Sequence, residues 1–413
     1  MRSAEGARVV ETTGEGLAPE SGIIASRDHA GRVKVLVAAG ARPNFVKVAP
    51  LMRSLRRRPL FGASLIHTGQ HDDPMLSSVF FEELEIPRPE ARLEISAATH
   101  AEQTAEIMRR FEPVVLAHQP HIVVVVGDVN STLACALVAA KCRLDHPFQT
   151  RDGLRWRPLL VHVEAGLRSF DPDMPEEVNR RVTDALSDLL FVSEPAGLAN
   201  LQNEGVQPQR ILLVGNVMID SLLAVRGQPR PGMAGDDAER GFAAPYGVVT
   251  LHRPANVDDP AALATLLRTL DGLATELPLV FPVHPRTRPR LLAILPALER
   301  PRWRIVPPLG YRDFVRLLAG ARVVLTDSGG VQEETTVLGV PCLTLRERTE
   351  RPITVEQGTN QLVGTSADRI EAGFRRALTG EIRGRVPPVW DGRAAPRIVD
   401  HLAAVMETEV RAP

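Results

Sequence analysis

The segment "RVKVLVAAG" (residues 32–40) is a short, nearly continuous apolar run that ends in glycine. Runs of this length without polar alternation are typical of strands buried on both faces of a parallel sheet. The next segment, "ARPNFVKVAPLMRSLRRR" (41–58), carries apolar residues at helical spacing. A buried strand that leads directly into an amphipathic helix is the beginning of a βαβ unit, so these residues predict an α/β fold.

The alternation of strand and helix continues along the chain in two series. Strand-like runs of the first series include "HIVVVVGD" (121–128) and "PLLVHVEAG" (158–166). After the Gly/Pro-rich stretch "RGQPRPGMAGDD" (226–237), a second series starts with "YGVVTLHRP" (246–254) and includes "RVVLTDSGG" (322–330). Strands that alternate with helices in this way predict two doubly wound, Rossmann-like domains, each with a parallel sheet.

Chain length agrees with two domains, because 413 residues exceed the size of one ordinary core. We place the first domain at residues 31–214 and the second at 215–389, with the join near Val214 and Gly215. Residues 1–30 are rich in Gly, Ser, Glu and Ala and lack apolar periodicity. They predict a disordered N-terminal tail.

Composition excludes several classes of partner. The net charge is -1, so the chain shows no electrostatic footprint for nucleic acid or an anionic membrane. Apolar runs such as Ile122–Val126 are far shorter than the roughly 18 residues that a membrane span requires. The three cysteines are scattered and form no disulfide framework or metal motif. We therefore predict a cytoplasmic protein.

The stretch "LTDSGGVQEE" (325–334) combines an apolar run, two glycines and a helix start. The N–H groups at a helix N-terminus attract anions, so Ser328, Gly329 and Gly330 suggest a phosphate site. Glu334 lies one turn into the helix, where a carboxylate can accept hydrogen bonds from the vicinal hydroxyls of a ribose. Together they suggest a nucleotide. The alternative is a tight turn followed by a Glu-rich first helical turn that the helix dipole favours.

Neither domain carries the G-x-G-x-x-G fingerprint after its first strand, since the first turns read "GARPN" (40–44) and "LHRPAN" (251–256). No P-loop is present. The sequence therefore predicts no nicotinamide cofactor. "DPDMP" (171–175) resembles a metal-binding D-x-D, but it lacks a clustered third ligand and is read as a loop, so no metal is predicted.

Charged residues follow several predicted strands or open the helices behind them. Asp128 and Glu164 come directly after buried runs, and Glu176 opens a helix. Singly, each carboxylate reads equally well as a helix cap. Two at neighbouring strand ends are harder to explain as structural, because repulsion and burial are expected to raise at least one pKa, as general acid/base catalysis requires. Glu177 is expected to pair with Arg180 or Arg181 on its own helix.

These motifs resemble the non-hydrolysing UDP-N-acetylglucosamine 2-epimerases, in register from about Arg32 to His401. The motifs that carry the resemblance are "GARPNFVKVAP", "HTGQH", "GDVNSTLA", "HVEAGLRSFD", "MPEEVNRR", "GNVMIDSLL", "TLHRP", "TDSGGVQEE" and "TERP". The resemblance implies a GT-B fold with the active site in the interdomain cleft. It also implies a C-terminal helix, at about 390–409, that returns to the first domain.

The same resemblance assigns roles to individual residues. The catalytic set that it implies is Asp128, Glu164, Glu176 and His252. The substrate-binding set is Arg42, Lys47, His252, Ser328, Gly329, Gly330, Glu334 and Arg351. Three features depart from the family pattern, namely Asp72, Ala255 and an insertion at 144–158.

The activity implied is interconversion of UDP-GlcNAc and UDP-ManNAc without a cofactor, by elimination of UDP to a glycal and re-addition. We expect a small-molecule UDP-sugar substrate, a homodimer, and no nucleic acid or membrane partner. Two alternatives stay open. One is a GT-B glycosyltransferase that uses a UDP-sugar donor, and the other is a 2-epimerase acting on a related UDP-diacetamido sugar.

Overall fold

The structure, a computed structural model, describes residues 31–40, 42–69, 80–95, 97, 99–226, 245–283, 287–294 and 303–407. The predicted N-terminal tail, Asp72 and most of the Gly/Pro-rich stretch lie outside these residues. The side chain of Arg42 also lies outside them, although its backbone begins the first helix.

The first part of the chain builds a seven-stranded parallel sheet. The strands in this part are β1 (Val33–Ala39), β2 (Phe61–His67), β3 (Ala91–Arg92), β4 (Ile122–Val126), β5 (Phe148–Thr150), β6 (Gly153–Arg155), β7 (Leu159–Ala165), β8 (Leu189–Val192) and β9 (Ile211–Leu213). The strand order in the sheet is β3-β2-β1-β4-β7-β8-β9, and β5 pairs only with β6, as an antiparallel hairpin within the insertion at 144–158. The predicted parallel sheet is confirmed.

Helices cover both faces of this sheet. They are α1 (Arg42–Arg57), α2 (His100–His118), α3 (Asn130–Lys141), α4 (Pro175–Leu186), α5 (Pro195–Asn203) and α6 (Val217–Arg226). Successive strand residues point to opposite faces. Val35 and Val37 therefore share a core with α1, whereas Leu36 and Ala38 share one with α2 and α3. Burial on both faces explains why these strands read as continuous apolar runs.

The second part of the chain repeats the architecture with six parallel strands. They are β10 (Gly247–Thr250), β11 (Leu279–Pro282), β12 (Trp303–Val306), β13 (Val323–Thr326), β14 (Cys342–Thr344) and β15 (Asn360–Leu362), and the sheet order is β12-β11-β10-β13-β14-β15. The helices are α7 (Pro254–Val257), α8 (Pro260–Ala274), α9 (Arg288–Ile294), α10 (Tyr311–Ala319), α11 (Gly329–Leu338), α12 (Pro352–Glu356), α13 (Ala367–Leu378) and α14 (Ala394–Met406).

The last helix, α14, packs against the core of the first sheet rather than the second. Its first amides, those of Ala394 and Ala395, donate to the Asp220 carboxylate of α6 at 3.1 and 2.7 Å. Just before it, the buried Trp390 indole donates to the Ser193 carbonyl at 2.9 Å. An acidic group at a helix N-terminus satisfies free amides and complements the helix dipole.

The division of the chain into two domains at 214/215, which was inferred from the sequence, stays a prediction.

The two sheets meet across a cleft that is bridged by polar contacts. The guanidinium of Arg312, on α10, donates to the Glu83 carbonyl at 2.8 and 3.1 Å. Arg351, in the loop after β14, contacts Glu164 at the end of β7 at 2.8 Å. In open α/β sheets ligands bind beyond the carboxyl ends of the strands. The second contact therefore marks the place where a site is expected.

Candidate active site

The backbone turns sharply at the carboxyl ends of β4 and β7. Gly127, which follows β4, has φ +70°, and a Cβ there would lie 3.2 Å from the Lys47 ammonium. Glu164 has φ +71°, and the pairing of β7 with β8 shifts register between Val163 and Ala165. A left-handed conformation costs a non-glycine residue about 1–2 kcal/mol, and a bulge re-aims a side chain. The fold therefore accepts backbone strain where the Glu164 carboxylate points into the cleft.

Two buried cations hold the Glu164 carboxylate. Lys47, on the buried face of α1, forms an ion pair with its Oε2, and the Arg351 guanidinium lies 2.8 Å from its Oε1. The three side chains are between 5% and 7% exposed. Lys47 belongs to the first domain and Arg351 follows a strand of the second. The structure thus brings together three residues that the sequence assigned to one site.

Asp128, beside this group, has a separate cation. Its Oδ2 lies 2.5 Å from the guanidinium of Arg180 on α4, and the Asn179 side chain donates to its backbone carbonyl at 2.9 Å. The Arg180 side chain is 2% exposed, whereas that of Asp128 is 26% exposed. The carboxylate is therefore fixed from the protein side and remains accessible from the cleft.

Glu177, also on α4, fastens the loop that follows β7. Its carboxylate accepts hydrogen bonds from the Ser169 amide and hydroxyl at 2.9 and 3.0 Å. It also pairs with Arg180 at 2.6 Å, as the helical spacing predicted. Burial works to raise the pKa of Glu177, but the Ser169 amide and Arg180 outweigh it and the pKa is lowered. Glu177 therefore acts as an ionised anchor for the loop and for Arg180.

Glu176, which directly precedes Glu177, does not join the buried contacts. It is exposed in the first turn of α4, and its charge acts on Arg253 of the second domain. Consecutive helical residues differ by about 100° in direction, so Glu177 is directed inward while Glu176 faces solvent. The structure brings Asp128 and Glu164 together on the sheet edge and leaves Glu176 outside their buried contacts.

His252 follows β10 and is oriented by a buried carboxylate. Its Nδ1 lies 2.9 Å from Asp327 Oδ1, and Asp327 also accepts the backbone amides of His252 and Arg253 at 3.0 to 3.1 Å. Burial opposes ionisation, yet these donors lower the pKa of Asp327. A carboxylate that accepts from Nδ1 fixes the ring orientation, and Nε2 is the nitrogen left for a ligand. The His252 side chain is 47% exposed.

The start of α11 supplies the amides that the sequence singled out. Ser328 is the N-cap, and Gly329 and Gly330 are the first helical residues, all partly exposed. A Cβ on Gly329 would lie 2.5 Å from a guanidinium nitrogen of Arg351. The Gly329 position therefore needs glycine because Arg351 packs against it, a reason that the sequence did not indicate.

Two carboxyl groups lie deeper in the same helix and carry raised pKa values. Burial raises the pKa of Glu334 to about 8, in spite of the nearby Tyr311 hydroxyl. Burial also raises the pKa of Glu333 to about 7, although Arg351 lies 2.8 Å away. Both side chains are nearly inaccessible to solvent. The Glu334 carboxyl group is therefore protonated for the most part at neutral pH.

Arg351 is the centre of a carboxylate cluster that the sequence only partly revealed. Besides Glu164 and Glu333 it binds Glu350 at 2.5 Å. Burial opposes ionisation of Glu350, but Arg351 and Arg346 hold its pKa well below the usual range. Glu350 directly precedes Arg351 in "TERP", and Glu333 is part of "VQEE", so the sequence contained both without a spacing that pointed to Arg351.

A further buried carboxyl group was not predicted at all. Glu194, at the start of α5, is fully buried, and among the described residues neither of its oxygens makes a well-formed hydrogen bond. Burial and the charge of Glu333 raise the pKa of Glu194 to about 8. Its sequence context, "SEPAG" (193–197), reads as an ordinary helix start, which explains why it was missed.

In the part of the chain that the structure describes, His, Cys, Asp and Glu side chains form no group of three or more that could hold a metal ion. Over the same ranges, none of the helices is both long enough and apolar enough to cross a bilayer. Cys135, Cys142 and Cys342 are free and buried.

Two Rossmann-like parallel sheets, with ionisable side chains gathered in the cleft between them, define an enzyme of the GT-B class. The family model described as UDP-N-acetylglucosamine 2-epimerase matches residues 53–403, and the chain belongs to this family. The family resemblance and the GT-B fold inferred from the sequence are thereby confirmed.

Two curated relatives match over nearly their whole length. The UDP-2,3-diacetamido-2,3-dideoxy-D-glucuronate 2-epimerase of Pseudomonas aeruginosa is 38% identical over 90% of this chain and 99% of its own. The UDP-N-acetylglucosamine 2-epimerase of Methanocaldococcus jannaschii is 37% identical over 89% of this chain and 98% of its own.

A crystal structure of UDP-GlcNAc 2-epimerase from Methanocaldococcus jannaschii in complex with UDP-GlcNAc and UDP is also similar. It superimposes with a TM-score of 0.79 at 36% identity, and the match covers 90% of this chain and 99% of that one.

Proposed function

We propose that this protein interconverts UDP-N-acetylglucosamine and UDP-N-acetylmannosamine by inverting C2 of the sugar without hydrolysis. The observation that carries the proposal is the placement of the Asp128 and Glu164 carboxylates. They lie at neighbouring strand ends of one domain, and Arg351 links Glu164 to the helix start of the other. Family membership and the similar UDP-GlcNAc-bound structure support the same substrate class.

The reaction requires a proton to leave a carbon that is barely acidic. When the C1–O bond breaks, its electron pair goes to the diphosphate and positive charge develops at C1. The neighbouring C2–H becomes acidic, a carboxylate takes the proton, and the products are a glycal and UDP. Protonation of C2 on the opposite face and re-addition of UDP at C1 complete the inversion. The site must therefore stabilise a leaving diphosphate and offer acid/base groups to both sugar faces.

The proposed acid/base set is Asp128, Glu164 and Glu176. Asp128 and Glu164 are held from the protein side by Arg180, and by Lys47 with Arg351, which supports fixed positions for both carboxylates. Proton transfer depends on such positioning, because the carboxylate must reach C2 within hydrogen-bond distance. Glu176, exposed in the first turn of α4, is assigned to the set through the family motif.

The second domain is proposed to hold the UDP. The amides of Gly329 and Gly330 at the α11 N-terminus suit the diphosphate. Ser328, whose amide donates to the Thr326 hydroxyl at 3.0 Å, is assigned to the diphosphate through the family motif. Glu334 is assigned to the ribose hydroxyls, since a carboxyl group with a raised pKa can both donate and accept hydrogen bonds.

Basic groups from both domains are proposed to neutralise the charge that builds on the leaving diphosphate. Arg42, Lys47 and Arg351 supply cations. His252 is assigned to the diphosphate or to a proton near the leaving oxygen. Its Nδ1 is occupied by Asp327, so Nε2 is the nitrogen that can contact the ligand.

A second substrate has support from one relative. The Pseudomonas aeruginosa protein acts, by its name, on a UDP-diacetamido glucuronate, and it is about as similar to this chain as the Methanocaldococcus enzyme. The reaction at C2 would be the same. The difference would lie at C3 and C6 of the sugar, where an acetamido group and a carboxylate would need partners.

We also propose that the enzyme works in the cytoplasm as a homodimer. The boundary between its two domains is proposed at 214/215. Three buried free cysteines are compatible with a reducing compartment. Size-exclusion chromatography with light scattering tests the dimer.

The direct test of function is incubation with UDP-GlcNAc alone, without any sugar acceptor. We expect a mixture of UDP-GlcNAc and UDP-ManNAc, resolved by chromatography or proton NMR. A parallel incubation with the UDP-diacetamido glucuronate measures which substrate has the larger kcat/KM. Release of UDP without an epimer, or turnover that requires an acceptor, would contradict the epimerase proposal and favour hydrolysis or glycosyl transfer.

A further inference from the structure

A buried hydrogen-bonded chain lies directly beneath the two proposed catalytic carboxylates. It consists of His162 on β7, Asp184 on α4 and Arg168 in the loop after β7. All three side chains are at most 1% exposed. His162 Nδ1 lies 2.6 Å from Asp184 Oδ1, and an Arg168 guanidinium nitrogen lies 2.7 Å from Asp184 Oδ2. We call these three residues the positioning network.

The second ring nitrogen of His162 connects the network to β4. Its Nε2 lies 2.8 Å from the carbonyl oxygen of Gly127, the residue before Asp128. A carbonyl oxygen only accepts hydrogen bonds. The Asp184 carboxylate, whose pKa is lowered by His162 and Arg168 although burial opposes this, is likewise an acceptor. Both ring nitrogens therefore face acceptors, and the geometry requires a hydrogen on each.

Arg168 extends these contacts to a second carboxylate. It forms a bidentate pair with Glu204, at 2.8 and 2.7 Å, in addition to its contact with Asp184. A buried charge is tolerated when it is paired and hydrogen-bonded, and Arg168 meets this condition through two carboxylates.

The network holds the backbone on both sides of the strained residue. Asp184 Oδ2 accepts the Gly166 amide at 3.1 Å, two residues after Glu164, while His162 itself stands two residues before it. A non-glycine residue keeps a left-handed conformation only when its surroundings over-determine it. The same imidazole fixes Gly127, so one ring ties the turn that presents Asp128 to the bulge that presents Glu164.

We propose that His162, cross-linked to Asp184, is a positioning residue that sets the separation of the Asp128 and Glu164 carboxylates for proton transfer at C2. The inference rests on the proposed epimerase function and adds a role to a side chain that cannot touch the substrate. Loss of the cross-link should allow the two strand ends to shift relative to each other, whereas the nucleotide half of the cleft keeps its contacts.

The kinetic test compares His162→Gln with wild type and with a matched variant, His118→Gln. His118 is also buried and its Nδ1 lies 2.9 Å from a backbone carbonyl, that of Val114, but it lies on α2 near the amino ends of β1 and β2. For His162→Gln we expect kcat to fall by about tenfold or more, because misplacement by 1 Å can cost about a hundredfold. KM and the Kd for UDP should change by less than about threefold, and His118→Gln should keep the wild-type kcat.

A second measurement takes its main readout from wild-type protein and uses a variant only to assign the signal. Nitrogen NMR of wild-type protein labelled with ¹⁵N-histidine at pH 7 should show one buried ring with a hydrogen on both nitrogens. Asp184→Asn should shift that resonance, which assigns it to His162. A His162 ring with one bare nitrogen would overturn the inference, whatever the activity of the variants.

The two proposals fail in different ways. A wild-type enzyme that epimerises UDP-GlcNAc, together with an equally active His162→Gln, overturns the positioning role and leaves the function intact. A fall in UDP affinity that matches the fall in kcat also overturns it, because a general loss of structure would then explain both. A wild-type protein that makes no UDP-ManNAc overturns the proposed function, and the positioning role falls with it.

Discussion

Carboxyl groups proposed for the site have different surroundings on the two sides of the cleft. On the first domain, Glu164 and Asp128 each contact a buried cation at the end of a strand. On the second domain, Glu334 sits inside α11, where burial raises its pKa to about 8. The carboxylates beside cations are held in fixed positions by ion pairs, whereas the buried carboxyl group in α11 has a raised pKa and can donate a hydrogen bond. This difference supports the proposal that proton transfer belongs to the first domain and recognition of the ribose hydroxyls to the second.

The largest effect on turnover is expected from variants of the two first-domain carboxylates. Glu164→Gln and Asp128→Asn remove a carboxylate but keep its shape, so each should lower kcat by about a hundredfold or more, the usual scale for a lost acid/base group. The Kd for UDP, measured by calorimetry, should change far less.

Glu112→Gln, on the exposed face of α2, is the matched control and should have wild-type turnover. Near-full turnover in Glu164→Gln would show that proton transfer is placed on the wrong residues.

A smaller effect, on UDP binding, is expected from variants of Glu334 in the second domain. Glu334→Ala should weaken UDP binding by up to roughly tenfold, in line with about 1.5 kcal/mol, the upper end for a lost hydrogen bond between neutral groups. Turnover at saturating substrate should survive in part. Glu334→Gln keeps a donor and an acceptor and should bind UDP more tightly than Glu334→Ala does. Equal loss in both variants would mean that an ionised Glu334 is needed.

Sequence patterns predicted the fold well because burial on both faces leaves a strong signal. The strand around Val123 is apolar at every position and the strand around Val35 at every position except Lys34, as is typical of parallel strands between two helix layers. The hairpin at Phe148–Thr150 and Gly153–Arg155 was not predicted, since its strands are three residues long and mostly polar.

The site was harder to predict, because it depends on the direction in which each side chain points and on partners that are distant in sequence. The motifs contain Glu164, Lys47 and Arg351, which the structure brings into contact across a large separation in sequence. Sequence alone did not reveal the left-handed turn at Glu164, nor the packing of Arg351 against Gly329. Both features arise from contacts between segments that are not adjacent in sequence, the end of β7 with α4 and the loop after β14 with the start of α11, for which no local pattern exists.

The smallest expected effect concerns stability and compares two buried carboxyl groups. The pKa of Glu194 is raised from 4.5 to about 8, so between these values the folded chain holds a proton that the unfolded chain releases. Stability therefore falls as pH rises through this range. Glu194→Gln removes that loss and should raise Tm at pH 9 by roughly 2 °C or more, with little change at pH 5.

Glu350→Gln should act in the opposite direction. The pKa of Glu350 is held low by Arg351 and Arg346 despite burial, so its contribution is present above its unfolded pKa and lost as pH falls. The variant leaves two buried guanidinium groups without this partner and should lower Tm at pH 7. Thermal melts of both variants from pH 5 to pH 9 test the pair. A Glu194→Gln variant that is less stable than wild type at pH 9 would show that burial of the ionised Glu194 carboxylate does not destabilise the fold.

Incorporation of solvent deuterium shows whether inversion proceeds by removal and return of the C2 proton. The enzyme is incubated with UDP-GlcNAc alone in deuterated water, and the product is analysed by proton NMR and mass spectrometry. We expect UDP-ManNAc that carries deuterium at C2. UDP-ManNAc without deuterium at C2, or free UDP without any epimer, would contradict this mechanism.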